Sequence, residues 1–217
     1  LITETADSPL ETLPERKFLW GILENPTFYR FTQALLAPGA ERSVIAEIEP
    51  LATSLKRSRH HLDIGSGPSS LLWNFQLQPI GLDPVHACNR SFRDKGGYAV
   101  TGSAASLPFA DSSFDAIWNF GLLHHLSDGM AREARREMLR VVRPGGYIVV
   151  FDGVMPKSLW HNPFVWALRK LDRGRHMRRQ DNLESLLAGD PASWTFKRFT
   201  YSLWGHEGLL CTGRKQA

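Results

Sequence analysis

Leu62-Asp63-Ile64-Gly65-Ser66-Gly67-Pro68-Ser69-Ser70 decides how this chain is read. An apolar run ends in two glycines one residue apart, and a stretch of helical pattern follows. Lacking Cβ atoms, Gly65 and Gly67 let the chain turn sharply at a strand end and let a ligand approach the backbone. Twenty residues beyond Asp63, a second apolar run closes in Gly81-Leu82-Asp83-Pro84. A carboxylate there can accept two hydrogen bonds from the hydroxyls of a ribose. Together these features predict a nucleoside-containing ligand at the C-terminal edge of a parallel sheet.

The loop also says which nucleoside ligand to expect. A dinucleotide site wants a third glycine, for close helix–strand packing beside a pyrophosphate, and position 70 is serine. A carboxylate at Asp63, just before the turn, repels a pyrophosphate but suits a cationic ligand. A positively charged cofactor is therefore favoured, and a nicotinamide-dependent oxidoreductase disfavoured.

Outward from the loop, short apolar runs alternate with helical patterns. Strands are predicted at His60–Ile64, Pro79–Asp83, Tyr98–Gly102, Phe114–Asn119 and Gly146–Asp152, then near Trp194–Tyr201 and Gly208–Gly213. Helices are predicted at Met130–Val142, stopped by Arg143-Pro144-Gly145-Gly146, and near Asp181–Ala188. This is the pattern of an α/β fold with a doubly wound, seven-stranded Rossmann-like sheet. Three helical stretches precede it. Two begin at Pro14 and Pro26, and the third, from about Glu41 to Leu55, carries Val44, Ile45, Ile48, Leu51 and Leu55 on one face. Residues 1–57 are expected to form a helical cap or lid, residues 58–217 the ligand-binding domain, and residues 155–190 a substrate-side segment.

Composition narrows the class. With 217 residues, 42% hydrophobic and 22% charged, the chain reads as soluble and globular. Its purest apolar run, Tyr147–Phe151, is far short of the ~20 residues of a membrane helix. Cys88 and Cys211 form no C-x-x-C, which excludes a disulfide scaffold and argues against a zinc site, so no metal is expected. Sparse cysteine and the lack of a secretory signal point to the cytoplasm. With Leu1 in place of an initiating Met, further residues upstream are expected. The net charge is +4, and Arg169, Lys170, Arg173, Arg175, Arg178 and Arg179 cluster around His176. Such a cluster fits a solvated helix face, an anionic substrate, a lipid surface or a nucleic acid.

Three further stretches complete a pattern. They are Gly102-Ser103-Ala104-Ala105-Ser106-Leu107-Pro108-Phe109 leading into Asp111–Ile117, Asn119-Phe120-Gly121-Leu122-Leu123-His124-His125-Leu126, and Leu139-Arg140-Val141-Val142-Arg143-Pro144-Gly145-Gly146-Tyr147. With the glycine loop, they make residues 60–152 resemble the class I S-adenosylmethionine-dependent methyltransferases, methyltransferase type 11 in character. The nearest likeness is to the small-molecule, ubiquinone-biosynthesis-like branch. The resemblance implies S-adenosyl-L-methionine as cofactor, S-adenosyl-L-homocysteine as product, and in-line methyl transfer to a small-molecule or lipid-like acceptor. It implies that Gly65, Ser66 and Gly67 pass under the methionine part and that Asp63 helps hold its amino group. Asp83 would bind the ribose, Ser103 and Ala104 would meet the adenine edge with Pro84 packing nearby, and Asn119 and Phe120 would flank the sulfonium. Ser69 and Ser103 depart from the Gly and Asp usual at those positions.

The catalytic candidates are His124, in the His-His pair after the fourth strand, and Asp152 and His161, after the fifth. Phe28 and Tyr29 in the cap, with Trp160 and Arg178 in the aromatic, basic segment, are expected to face the acceptor. Residues 157–179 could also rest on a membrane surface. Two alternatives stay open: an RNA methyltransferase, for which the basic cluster speaks, and an S-adenosylmethionine-binding protein without catalysis.

Overall fold

A computed structural model describes residues 37–158, 160, 162–171, 176–189 and 191–216. In chain order these form α1 (Ala40–Ser54), β1 (His61–Ile64), a 3-10 helix (Leu71–Phe75), β2 (Ile80–Asp83), α2 (His86–Asp94), β3 (Tyr98–Thr101) and β4 (Phe114–Phe120). A 3-10 turn (Leu123–His125), α3 (Asp128–Val141), β5 (Val142–Gly153), α4 (Pro163–Leu171), α5 (Gln180–Leu187), β6 (Ala192–Thr200) and β7 (Glu207–Lys215) follow. The expected helices from Pro14 and Pro26, with Phe28, Tyr29 and His161, lie outside the described residues.

All seven expected strands join one sheet, in the order β3-β2-β1-β4-β5-β7-β6. β1 pairs in parallel with β2 (Asp63↔Gly81) and with β4 (Ile64↔Asn119). β7 runs antiparallel between β5 and β6. The chain steps outward from β1 to β3 and then returns to the other side of β1, so strand order reverses between β1 and β4. In open α/β sheets ligands bind at that reversal, above the C-terminal strand ends.

The crossover from β1 to β2 differs from expectation. Only residues 65–79 separate the strands, and they hold a 3-10 helix of 5 residues in place of a full helix. Ser70 caps its start by accepting from Leu72 N at 3.2 Å, and Gln76 adopts a left-handed φ of 61° at its end. Pro79 then disfavours helical geometry at Gln78, leaving room for little more than one turn. The remaining sheet face is covered by α1, whose buried Val44, Ile48 and Ala52 pack with Leu72, Phe75, Trp118 and Val149. This helix, expected within the 1–57 cap, therefore packs into the core of the sheet.

On the opposite face α3 buries Ala131, Ala134, Met138 and Val141 at helical spacing, with Ile117, Ile148, Val150 and Leu183 of α5 in the same core. Arg143-Pro144-Gly145-Gly146, expected to stop α3 ahead of a strand, lies within β5. Val142 pairs with Phe114 and Tyr147 with Ala116, so these residues form an irregularity of the ladder. At the foot of the sheet Asp115 accepts from Arg59 N and His60 N at 2.9 and 3.2 Å and pairs with Arg143 at 2.5 Å. Buried His61 accepts the Trp118 indole N–H at Nδ1 (3.1 Å) and faces the Ser58 carbonyl with Nε2 (3.1 Å). Burial lowers its pKa, keeping the ring neutral.

Candidate active site

The glycine loop is held from below by β2. Gly65 N and Ser66 N both donate to Leu82 O, at 2.7 and 3.3 Å. Gly65 and Gly67 have φ of 72° and 60°, the left-handed region that glycine enters without steric cost. A Cβ on Gly65 would come within 3.1 Å of the Leu122 side chain, whereas one on Gly67 would meet nothing within 4 Å. The loop is thus packed tightly against the segment after β4 and open at its rim.

Asp83 ties this loop to the next one. Its Oδ2 accepts from Gly67 N at 3.0 Å and its Oδ1 from Val85 N at 2.8 Å. Burial raises its pKa, and the two N–H donors oppose that rise. Each carboxylate oxygen has a second lone pair, so the group is pre-oriented for two further donors such as ribose hydroxyls. Beside it, Asn89 Nδ2 donates to the Asp83 carbonyl and to Thr101 Oγ1, fixing the end of β2 against β3.

Beneath the loop Asp63 is buried, and Ser70 Oγ donates to its Oδ2 at 2.5 Å. Burial pushes this carboxyl up to about 7; the Ser70 hydrogen bond opposes the rise and nearby Asp83 adds to it. Ser70 therefore does two jobs that sequence reading missed, where it stood only as an absent third glycine. Its position at the start of a short helix, with a free hydroxyl, was the signal.

Across the strand reversal Asn119 is fully buried and donates through Nδ2 to Ile64 O at 3.0 Å, while its Oδ1 has no hydrogen-bond partner. An orphaned buried carbonyl oxygen costs about 1–3 kcal/mol, and here it stands where β1 and β4 end. Its need for a donor fits a ligand over the loop. Phe120, the neighbouring residue, turns to the other face, where its ring lies 6.1 Å from that of Trp118 beside the α1 core. Ser103 Oγ accepts from Ala105 N at 3.2 Å and Ser103 bridges to Ser106, so this side chain shapes the turn after β3. Ala104 is buried in that turn, while Pro84 is exposed at the rim.

At the ends of β4 and β5, His124 and Asp152 meet. Asp152 Oδ1 lies 2.5 Å from His124 Nδ1, and Oδ2 accepts from His124 N at 3.0 Å. Burial alone would raise the Asp152 carboxyl, but the adjoining His124 imidazole and its hydrogen bonds bring it below the usual carboxylate range. The His125 ring lies 4.0 Å from that of His124. Arg178, expected on the acceptor, is only 7% exposed and holds this segment in place. It donates to Leu123 O at 2.5 Å, to Leu126 O at 2.8 Å and to Asp128 Oδ1 at 2.7 and 3.0 Å. His176 N donates to the His124 carbonyl at 3.1 Å. Trp160 stands 89% exposed, and Arg169 of the same basic segment is buried, donating to the Tyr201 hydroxyl at 2.5 Å. Among the described residues no helix is long and apolar enough to cross a membrane.

A glycine loop and an acidic strand end at the reversal of a seven-stranded sheet, with β7 antiparallel, define the class I methyltransferase architecture. Residues 62–150 match the family described as "Methyltransferase domain". The chain is 33% identical over 123 residues to the human protein described as "Probable tRNA methyltransferase 9B", covering 56% of this chain and 24% of that one. It is 34% identical over 153 residues to "Uncharacterized methyltransferase YcgJ" of Bacillus subtilis, covering 64% of this chain and 60% of that one. The chain thus spans about a quarter of the human relative and three fifths of the bacterial one. A crystal structure of an S-adenosylmethionine-dependent methyltransferase from Thermotoga maritima has the same fold. Its TM-score is 0.70 at 19% identity, over 91% of this chain and all of that one.

Proposed function

We propose that the protein transfers a methyl group from S-adenosylmethionine to a small-molecule or lipid-like acceptor. The observation that carries the cofactor assignment is the Asp83 carboxylate, gripped by Gly67 N and Val85 N at 3.0 and 2.8 Å beside the unpartnered Asn119 Oδ1. These groups present acceptors to the hydroxyls and the cationic end of the cofactor, and Asp63 supplies a counter-charge beneath the loop. When bound, the cofactor supplies an activated methyl on a sulfonium. The work left to the chain is to align the acceptor, exclude water and manage a proton. Holding the attacking atom at near-attack distance lowers the barrier by several kcal/mol, up to about 7–11 kcal/mol for full orientation.

The burial of Arg169 and Arg178, both bound to the chain's own acceptors, supports a small acceptor over RNA. Of the basic residues once grouped there, it removes two from any outward-facing surface. A second reading, an RNA acceptor, is favoured by the printed name of the human relative. Calorimetric titration with S-adenosylhomocysteine and, separately, NADH tests the cofactor: binding of the first alone is expected. Filter binding to bulk tRNA across a salt series tests the acceptor. A steep fall of affinity with salt, reflecting many phosphate contacts, would displace the small-molecule reading.

A further inference from the structure

We infer that the end of the sheet formed by α4 and the β6–β7 turn is a docking surface for an anionic lipid bilayer. The inference goes beyond the methyl-transfer reading and stands without it. Of the seven large apolar side chains exposed among the described residues, four come from these two segments: Trp160 (89%), Leu203 (85%), Phe164 (53%) and Trp204 (48%). The strand register places the segments together. Gly153, the last residue of β5, pairs with Gly208, and Thr200, the last of β6, pairs with Glu207. The β6–β7 turn therefore stands where β5 ends and the chain leaves for α4. There the Phe164 ring lies 5.6 Å from that of Trp204, and Asn162 Nδ2 donates to Trp204 O at 3.1 Å.

α4 is amphipathic in the reverse sense. Val165 and Arg169, one turn apart, are buried, and the Arg169 guanidinium reaches Tyr201 Oη and Glu207 O at the end of the sheet. Phe164 and Ala167 are exposed and Leu168 is half-buried, so the helix turns an apolar face outward. These groups are held out by design of the backbone: Asn162 Oδ1 accepts from Val165 N at 3.0 Å, and Leu203 N donates to Pro38 O at 3.0 Å. Charge indicates what covers the face. From Met155 to Gln180 the sequence has one acid, Asp172. With Arg169 and Arg178 buried and Arg179 3.7 Å from Asp181, the cations left among the aromatic positions are Lys157, Lys170, Arg173 and Arg175. Glu207, the acid next to the turn, is bound by Arg198 at 2.7 Å. Protruding indole, phenyl and leucine side chains interspersed with Lys and Arg suit the headgroup region of an anionic leaflet. A protein partner needs a matching recess, whereas a bilayer needs only apolar groups that protrude. At 9 residues α4 is too short to cross, so the contact is with the surface. A lipid-like acceptor would then meet the strand ends from the bilayer side.

The test is co-sedimentation of the full chain with vesicles of phosphatidylcholine alone and of equimolar phosphatidylcholine and phosphatidylserine. We expect binding to the mixed vesicles, at least about tenfold weaker to the neutral ones, as several basic residues near an anionic surface require. Trp160→Ser and Leu203→Ser, drawn from the two separate segments, should each weaken binding by about tenfold, the loss of one large apolar side chain's burial. Because both side chains stand in water, the urea midpoint should not move. No sedimentation with the mixed vesicles, or variants that bind as well as wild type, would overturn the inference. So would a fall in urea midpoint in both variants, which would assign the face to packing within the chain. A dimer in analytical ultracentrifugation that both substitutions dissociate would assign it to a second copy and overturn the inference as well.

Discussion

The Ser70 hydroxyl reaches down from the first turn after the glycine loop to donate to Asp63 Oδ2 at 2.5 Å, while accepting Leu72 N at 3.2 Å. One side chain thus caps the 3-10 helix and satisfies the carboxyl group buried beneath the loop. Ser70→Ala would leave both unsatisfied. Loss of the cap and of a bond to a buried acid should each cost about 1 kcal/mol or more, read as a lower urea midpoint at unchanged m-value.

The same pair predicts a pH dependence. Asp63 has its pKa raised to about 7 in the fold, so its proton is held more tightly in the native than in the unfolded chain. That contribution to stability is complete below the ordinary carboxylate range and is lost as pH rises through about 7. A cationic ligand amine favours the ionised form, so S-adenosylhomocysteine binding should weaken as pH falls below 7 and release a proton there. Calorimetry in two buffers of different ionisation enthalpy reads that proton directly.

His61 predicts the opposite slope. Its pKa is lowered by burial, so the unfolded chain binds the extra proton first. Its contribution is present above 6.5, the unfolded value, and is lost as pH falls below it. Urea midpoints measured at pH 7.5 and 5.5 should separate for the wild type. In His61→Gln the part of that separation due to this ring should vanish.

Asp83 bears on the cofactor alone. Asp83→Asn keeps the size of the group but replaces one acceptor oxygen with a donor, opposing either a backbone N–H or a ribose hydroxyl. We expect S-adenosylhomocysteine affinity to fall by at least about tenfold, or 1.4 kcal/mol, measured by titration calorimetry.

Arg178 bears on the support of the His124–Asp152 pair. Arg178→Ala should destabilise the fold by about 2–3 kcal/mol by stripping a charged donor from the buried Leu123 carbonyl and the part-buried Leu126 carbonyl. Arg178→Lys should recover only part of this, because a single ammonium cannot span both carbonyls and Asp128 together. Thermal melts of the three proteins would rank them.

The strands and α3 were legible because their apolar periodicity is set by the sheet faces they pack against, and the glycine loop because positive φ demands glycine. The 3-10 helix in place of a full one was hidden, since Leu71-Leu72-Trp73 has helical character and only the short distance from Ile64 to Ile80 forbids more turns. Asp63 and Asp83 were legible as strand-end carboxylates through type and order, whereas the contact between His124 and Asp152, named from the sequence only as separate candidates, emerges from the pairing of β4 with β5. It was not readable where long side chains choose among partners. Arg178 and Arg169 look like surface cations in sequence, yet tertiary carbonyls and the Tyr201 hydroxyl draw them inside. Phe120 and Asn119 were read together from the sequence, but successive strand residues point to opposite faces, and the Phe120 ring lies on the α1 side near Trp118.

The antiparallel insertion of β7 has an effect far from the strand reversal, because it makes β6 the outer margin of the sheet. That margin is 9 residues long, where the opposite one, β3, has only 4. A long open border invites a strand from another molecule to add on. Along β6, Lys197 bonds Glu47 of α1 at 2.6 Å and Arg198 pairs with Glu207 at 2.7 Å, so charged groups already tied to the chain's own elements occupy that border. Of the two, Lys197 is the exposed charge on that border, and neutralising it should show first as a loss of solubility.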